Sequence, residues 1–396
     1  MIAAAPMISV AEARAALLQL VTPTEIETVP LAEAAGRVLA RPVVARRDQP
    51  PFDASAMDGY AVNAAEVEHH AMFKVIGESA AGHGYAGRVG AGQAVRIFTG
   101  APVPEGASHV VIQEDVTRKG DLITLASPPD GATNIRPRGG DFAVGQVVEA
   151  PHLLGPADVA LLAAMNIADV PVHRRPVVAL MSTGDELVMP GETPGPDQII
   201  VSNTFGLKAM LEAHGAEVRV LPIARDTKSS LRQAFDFAGD VDLLVTIGGA
   251  SVGDHDLVAA VAQELGLERS FYKVAMRPGK PLMAGRFRRS AMVGLPGNPV
   301  SAMVCGRIFV VSMVRALLGL SPDVDAISQA PLAIALSENG PRAHYMRAFW
   351  SGGGLQPFDS QDSSLLSVLA RAEALILRPP HAPAAQPGDT VDYLTL

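Results

Sequence analysis

Apolar and polar positions follow four different rhythms along the chain. Residues 9 to 21 have the spacing of a short amphipathic helix opened by Ser9 and Glu12 as a capping box, and Leu31 to Val38 adds a helical fragment. Residues 46 to 136 change to short apolar runs between glycines and prolines: Phe73 to Ile76, Ala94 to Phe98, His109 to Gln113 and Leu122 to Leu125. That rhythm predicts a compact β-rich domain. Helical spacing returns over 137 to 172, where Pro156-Ala157-Asp158 opens a run to Met165 and Pro171 reads as a stop.

The third rhythm, from 173 to 323, alternates buried strands with helices. Val177 to Met181, Glu217 to Ile223, Leu243 to Ile247 and Ala291 to Leu295 read as strands. Asn203 to His214, Lys228 to Ala238, Leu257 to Leu265 and Val300 to Leu318 read as helices. Continuous apolar runs suit strands covered on both faces, and repeated strand–helix units predict an α/β domain with a mostly parallel sheet. From 324 to 396, Leu332 to Leu336, Tyr345 to Trp350, Ala374 to Leu377 and Val391 to Leu394 suggest a small β domain. The pattern divides the chain into a discontinuous helical region (1–45 and 137–172), an inserted β-rich domain (46–136), the α/β domain (173–323) and the C-terminal β domain (324–396).

Composition narrows the class. The chain has 396 residues, 48% of them hydrophobic, enough for packed cores in several domains. A balance of 32 basic to 41 acidic residues, net −9, argues against a nucleic-acid or anionic-membrane surface. The single cysteine, Cys305, lies in an apolar helical stretch and reads as core packing. No export signal is evident, and Val300 to Leu320 carries Arg307 and Arg315, so it reads as a core helix and not a membrane span. A cytoplasmic protein is expected.

Candidate chemistry collects in the α/β loops. Met181-Ser182-Thr183-Gly184-Asp185-Glu186-Leu187 follows a strand with two hydroxyls, a glycine and two acids. The run from Leu243 leaves its strand through Gly248, Gly249 and Ser251 to Asp254 and Asp256. Arg277-Pro278-Gly279-Lys280-Pro281 sets two cations on a stiff loop, and Gly294-Leu295-Pro296-Gly297-Asn298-Pro299 turns a strand into a helix. Open α/β sheets bind ligands at the carboxyl ends of their strands, where glycine backbone and helix N-termini favour an anion. Converging, these loops form a polyanion pocket, and carboxylates beside phosphate imply magnesium. Each motif also has a plain reading: Asp226 and Asp254 as helix caps, Arg277 and Lys280 as solvated charges, Asp58 as a turn acid and Thr99 as a strand-end hydroxyl. No zinc-protease helix, Gly-x-Ser-x-Gly elbow, Walker loop or Gly-x-Gly-x-x-Gly is present.

Seven stretches together resemble the molybdopterin molybdenumtransferase (MoeA) family and its relative, the gephyrin E domain. They are Ser55 to Val62, Phe98 to Pro104, Ile112-Gln113-Glu114, Ser182 to Leu187, Gly248 to Asp256, Arg277 to Pro281 and Gly294 to Ala302, with Gln361-Asp362-Ser363-Ser364 and Leu365 to Ala372 as a tail signature. The resemblance implies a molybdopterin-binding α/β domain, an inserted β domain, a helical linker region and a C-terminal β barrel. It also implies a homodimer whose cleft joins the α/β domain of one subunit to the β domain of the other. The implied reaction inserts molybdate into adenylated molybdopterin with magnesium and releases AMP. Glu186, Asp226 and Asp256 would lie at the metal and phosphate end. Ser251 and the Gly248 and Gly249 amides would hold phosphate, with Ser182, Thr183, Gly184, Pro296 and Pro299 also lining the cofactor site. Arg277 and Lys280 would offset charge, while Asp58, Thr99 and Asp141 would close the site catalytically from the β domain. Partners would include the molybdopterin adenylyltransferase and apo-molybdoenzymes.

Three positions depart from the family pattern. Val201 stands where an acid often precedes Ser-Asn, Ala250 replaces a valine, and Gly140 replaces a glutamate before Asp141. Two rival functions remain: a non-enzymatic scaffold or cofactor carrier like gephyrin, and a nucleotide pyrophosphatase built on the same α/β domain.

Overall fold

A computed structural model of the chain describes residues 7–127, 131–249, 257–323 and 327–396. At its centre is a six-stranded sheet in the order Glu217–Val220, Val177–Ser182, Leu243–Ile247, Ser290–Leu295, Pro281–Phe287, Leu267–Lys273. The first three pairings are parallel and the last two antiparallel. The two antiparallel strands escaped the periodicity reading because no helix separates them from Ser290–Leu295. Instead a tight turn at Arg288 (φ 53°) and Arg289 folds the chain straight back.

Alternation along each strand explains why both faces are covered. Val178 and Leu180 join Val245 and Ile247 in one core, packed under the helices Asn203–Ala213 and Pro299–Leu317. Ala179, Met181 and Leu244 point the other way, into a second core with Lys228–Ala238 and Leu257–Glu264. The long helix has a π-type turn at Gly306–Val310, where a side chain on Gly306 would stand 2.3 Å from Leu207 Cδ2. Cys305 is wholly buried beside Gly279, and burial pushes its thiol pKa up, which suits packing and not reactivity.

The helical expectation for the flanking region is only partly met. Val10–Leu18 has the Ser9–Glu12 capping box, and Pro156–Ala164 is helical. Between them, however, Leu31–Glu33 is a single 3-10 turn, and Ile26–Pro30, Asp169–His173, Val38–Leu39 and His152–Leu153 form a four-stranded sheet. Pro171 lies inside a strand opposite Thr28; its neighbours Val170 and Val172 are fully buried, a period-two signal hidden by the proline. This sheet joins residues before 46 to residues after 141 through one core containing Leu39, Phe142, Leu162 and Val172.

The intervening residues build a separate six-stranded sheet, in which Gly59–Val62 lies between His109–Ile112 and Gln93–Ile97. In the tail, Gly354–Pro357, Ala343–Ser351, Ala374–Arg378, Thr390–Thr395 and Ser328–Pro331 pair in succession. A bridge from Leu332 to Leu355 closes the ring, giving the expected small barrel.

Candidate functional site

The chain leaves Val177–Ser182 toward one edge of the central sheet and leaves Leu243–Ile247 toward the other. Loops after two such neighbouring strands diverge and open a crevice, the usual ligand position in this architecture. Here a cleft of about 1090 Å³ is lined by Ser182, Thr183, Gly184, Glu186, Asp226, Gly248, Gly249, Pro296 and Pro299, with Ile199 to Asn203, Asn298 and Ser364.

The floor is tightly fitted. Ser182 and Thr183 are buried, and the Ser182 hydroxyl hydrogen-bonds that of Thr204. Thr183 N–H donates to Ile247 O at 3.0 Å, whereas the buried Thr183 Oγ1 has no hydrogen-bond partner among the described residues. Leaving such a hydroxyl unpaired costs about 1–3 kcal/mol. Gly248 and Gly249 have φ of +91° and +67°, and a Cβ on Gly249 would stand 2.3 Å from Val258 Cγ2. The Gly248 amide donates to Leu295 O at 3.1 Å and so extends the sheet pairing by one residue. Ser251, Asp254 and Asp256 lie outside the described residues.

Glu186 and Asp226 share the cleft because their loops are tied together. Arg225 Nη1 donates to the carbonyls of Gly184, Asp185 and Leu187 at 3.3, 3.0 and 3.1 Å, and Asp226 N–H donates to Asp185 Oδ1 at 3.1 Å. Asp226 does not cap the following helix. Thr227 does, accepting from Ser230 N–H at 3.2 Å, which leaves the Asp226 carboxylate available to the cleft. Among the described residues no three His, Cys, Asp or Glu side chains gather as a metal site.

Other expected residues lie elsewhere. Arg277 and Lys280 do not line the cleft, although the adjoining Pro281 does. Arg277 is exposed and pairs across strands with His344 of the barrel, whose pKa burial, aided by the Arg277 charge, pushes down to about 4. Asp58, Thr99 and Asp141 are likewise outside this cleft. Asp58 Oδ1 accepts from both the N–H and the hydroxyl of Thr99, each at 2.7 Å. These two bonds, backbone first, hold its carboxyl below the usual range, helped by Arg96. Arg96 in turn lies over the Phe98 and Tyr60 rings and binds Gln113 Oε1 at 2.6 Å. Asp141 N–H donates to Gln49 O at 2.9 Å.

Comparison with known proteins adds a second line of information. The profile described as "MoeA N-terminal region (domain I and II)" matches residues 8–166, "Probable molybdopterin binding domain" matches 179–316, and "MoeA C-terminal region (domain IV)" matches 329–396. A molybdopterin molybdenumtransferase of Haemophilus influenzae is 36% identical over 97% of this chain and 98% of its own length. This chain belongs to the molybdopterin molybdenumtransferase family. Another member, from Nostoc, is 37% identical over 75% of this chain and 70% of its own. Two crystal structures of the Pyrococcus horikoshii molybdopterin biosynthesis MoeA protein match with TM-scores of 0.84 and 0.83, at 30% and 27% identity, covering 98% and 99% of this chain and 99% and 100% of theirs. The multidomain α/β-plus-β architecture is thus that of the molybdenumtransferase family.

Several cleft residues were not singled out from sequence. Ile199 and Ile200 are exposed on the wall, where two isoleucines between polar loop residues were a usable signal. Asn203 is nearly buried and donates to Gly297 O at 2.8 Å, bridging two cleft loops; nothing local marks it. Val201, where an acid was expected, is 4% exposed and its N–H donates to Val188 O, so an aliphatic side chain packs under the wall at that point.

Proposed function

We propose that this molybdenumtransferase-family protein inserts molybdate into adenylated molybdopterin and releases AMP. One observation carries the reading: two carboxylates, Glu186 and Asp226, line the same cleft as a glycine floor and a buried hydroxyl, Thr183, that has no partner among the described residues. The full-length likeness to a molybdenumtransferase supplies the reaction class. In this reading Thr183 and Gly249, together with Ser251, hold the pyrophosphate, and the apolar wall of Leu187, Ile199 and Ile200 receives the flat ring system. Glu186 and Asp226, with Asp256, take the metal and oxyanion end. Two carboxylates plus substrate phosphate suit magnesium, which would offset charge on the breaking pyrophosphate bond. The chain's own work is positioning and water exclusion, with no covalent protein intermediate.

We further infer a homodimer in which Asp58 and Thr99, with Asp141, approach the cleft of the second copy. The fixed, ionised Asp58 carboxylate outside its own chain's cleft supports this. Arg277 and Lys280 would contribute long-range charge from the rim. We infer that the chain works as four units: a discontinuous flanking region (1–45 and 137–172), an inserted β domain (46–136), an α/β domain (173–323) and a barrel (324–396). The scaffold alternative draws no support from the relatives' names, all of which describe a transferase. Purified protein with adenylated molybdopterin, molybdate and magnesium is expected to release AMP in proportion to molybdenum incorporated. No AMP from folded protein sinks the reading.

A further inference from the structure

Ser364, from the barrel, lines the cleft of the α/β domain. Its position follows from an unusual clamp. Gln361 uses both ends of its carboxamide on one residue: Oε1 accepts from Arg347 N, Nε and Nη2 at 2.9, 3.2 and 3.1 Å, and Nε2 donates to Arg347 O at 2.9 Å. Nε2 also donates to Phe358 O at 3.0 Å. Arg347 is 1% exposed, and its remaining nitrogen Nη1 donates to Asp362 O at 2.7 Å. These acceptors are all neutral. A buried guanidinium must keep such partners or suffer a large desolvation cost, so the path of residues 358–362 is fixed.

The end of that segment docks on the long helix. Asn298, its N-cap, makes no side-chain cap bond to the helix and instead donates through Nδ2 to Ser363 Oγ at 3.0 Å. The Ser363 carbonyl accepts from Val300 N–H at 3.0 Å, satisfying one of the helix's orphan donors from another domain. Asp362 Oδ1 then accepts from Ser364 N and Oγ at 2.8 and 2.7 Å, holding that residue at the cleft.

We propose that Gln361 is a positioning residue for the cleft: by clamping Arg347 it fixes the 358–364 loop and with it the place of Ser364 in the cleft wall. The inference rests on the functional reading above for its ligand, but its geometry is independent of it. Gln361 touches no substrate and acts through Ser363 and Ser364.

The test uses full-length Gln361→Ala and Gln361→Glu. The alanine variant should raise KM for adenylated molybdopterin about tenfold while kcat stays within about threefold, because a misplaced wall weakens positioning without removing a reacting group. Glutamate keeps acceptor oxygens for Arg347 and should bring KM back to within about threefold of wild type. Hydrogen exchange at residues 298–302 should quicken in the alanine variant and recover in the glutamate one. Unchanged KM and exchange in folded Gln361→Ala overturns the proposal, as does equal loss in both variants. Should wild type release no AMP, the functional reading fails, and exchange at 298–302 alone decides the loop. If Gln361→Ala does not fold, Ser363→Gly, which removes only the Asn298 contact, should raise KM about threefold, and no change counts against the proposal.

Discussion

Two acidic sites of this protein differ in what surrounds them. Glu186 and Asp226 lie in a cleft of about 1090 Å³ walled by several loops, with a buried hydroxyl on its floor. Asp58 is held firmly, by two bonds from Thr99, yet lies outside that cleft. In the proposed homodimer, a carboxylate kept ionised and rigid without its own cavity would be half of a constellation. The comparison teaches that preorganisation and enclosure are separate properties, which the proposed dimer would supply from different chains.

The largest expected effect tests the cleft side. Asp226→Ala and Glu186→Gln should each lower the rate of AMP release by about 10²-fold or more with folding intact, if these groups organise charge at the breaking bond. A loss below tenfold would reduce them to wall residues. Next comes the division between chains. Asp58→Ala and Glu186→Ala proteins, each inactive alone, should regain roughly a quarter of wild-type activity when unfolded and refolded together, because half the dimers are mixed and each has one intact composite site. No recovery places Asp58 and Glu186 in the same chain's site.

A smaller effect concerns the floor. Gly249→Ala sets a Cβ 2.3 Å from Val258 Cγ2 at φ +67°, and should destabilise the fold by about 1–3 kcal/mol, read as a lower thermal midpoint. The smallest is a titration. The Asp58 carboxyl is depressed in the folded protein, so its contribution to stability is present above the unfolded carboxylate pKa and is lost as pH falls through the depressed one. Thr99→Val removes the hydroxyl bond and keeps the backbone bond, so the Asp58 pKa should move up toward the ordinary value in a carboxyl NMR titration. The acid limb of kcat/KM should move with it.

Much of this was legible in the chain because it depends on local order. The strands Val177–Ser182 and Leu243–Ile247, the helices Asn203–Ala213 and Lys228–Ala238, and the loops holding Ser182 to Glu186 and Gly248 to Gly249 all follow from runs of neighbouring residues. The misses are of another kind. Pro171 interrupted an alternation that buried valines still obeyed, and Leu31 to Val38 mimicked a helix of which only the 3-10 turn Leu31–Glu33 forms, while Val38 is claimed by long-range pairing with Leu153. Tertiary context overrides weak propensities of this size.

The sequence by itself determined which residues have chemistry to offer and which stretches turn at glycine or proline, because backbone freedom and side-chain type are local properties. Only the tertiary structure decided what each offer is used for. It committed the Gly248 amide to Leu295, gave the helix cap to Thr227 and left Asp226 facing the cleft, and set Arg277 beside His344 instead of on the cleft wall. It also brought Ser364 across from the barrel to the cleft. Apart from the local Thr227 cap, these outcomes depend on partners far away in the chain, because most buried backbone donors must find a partner wherever the fold provides it.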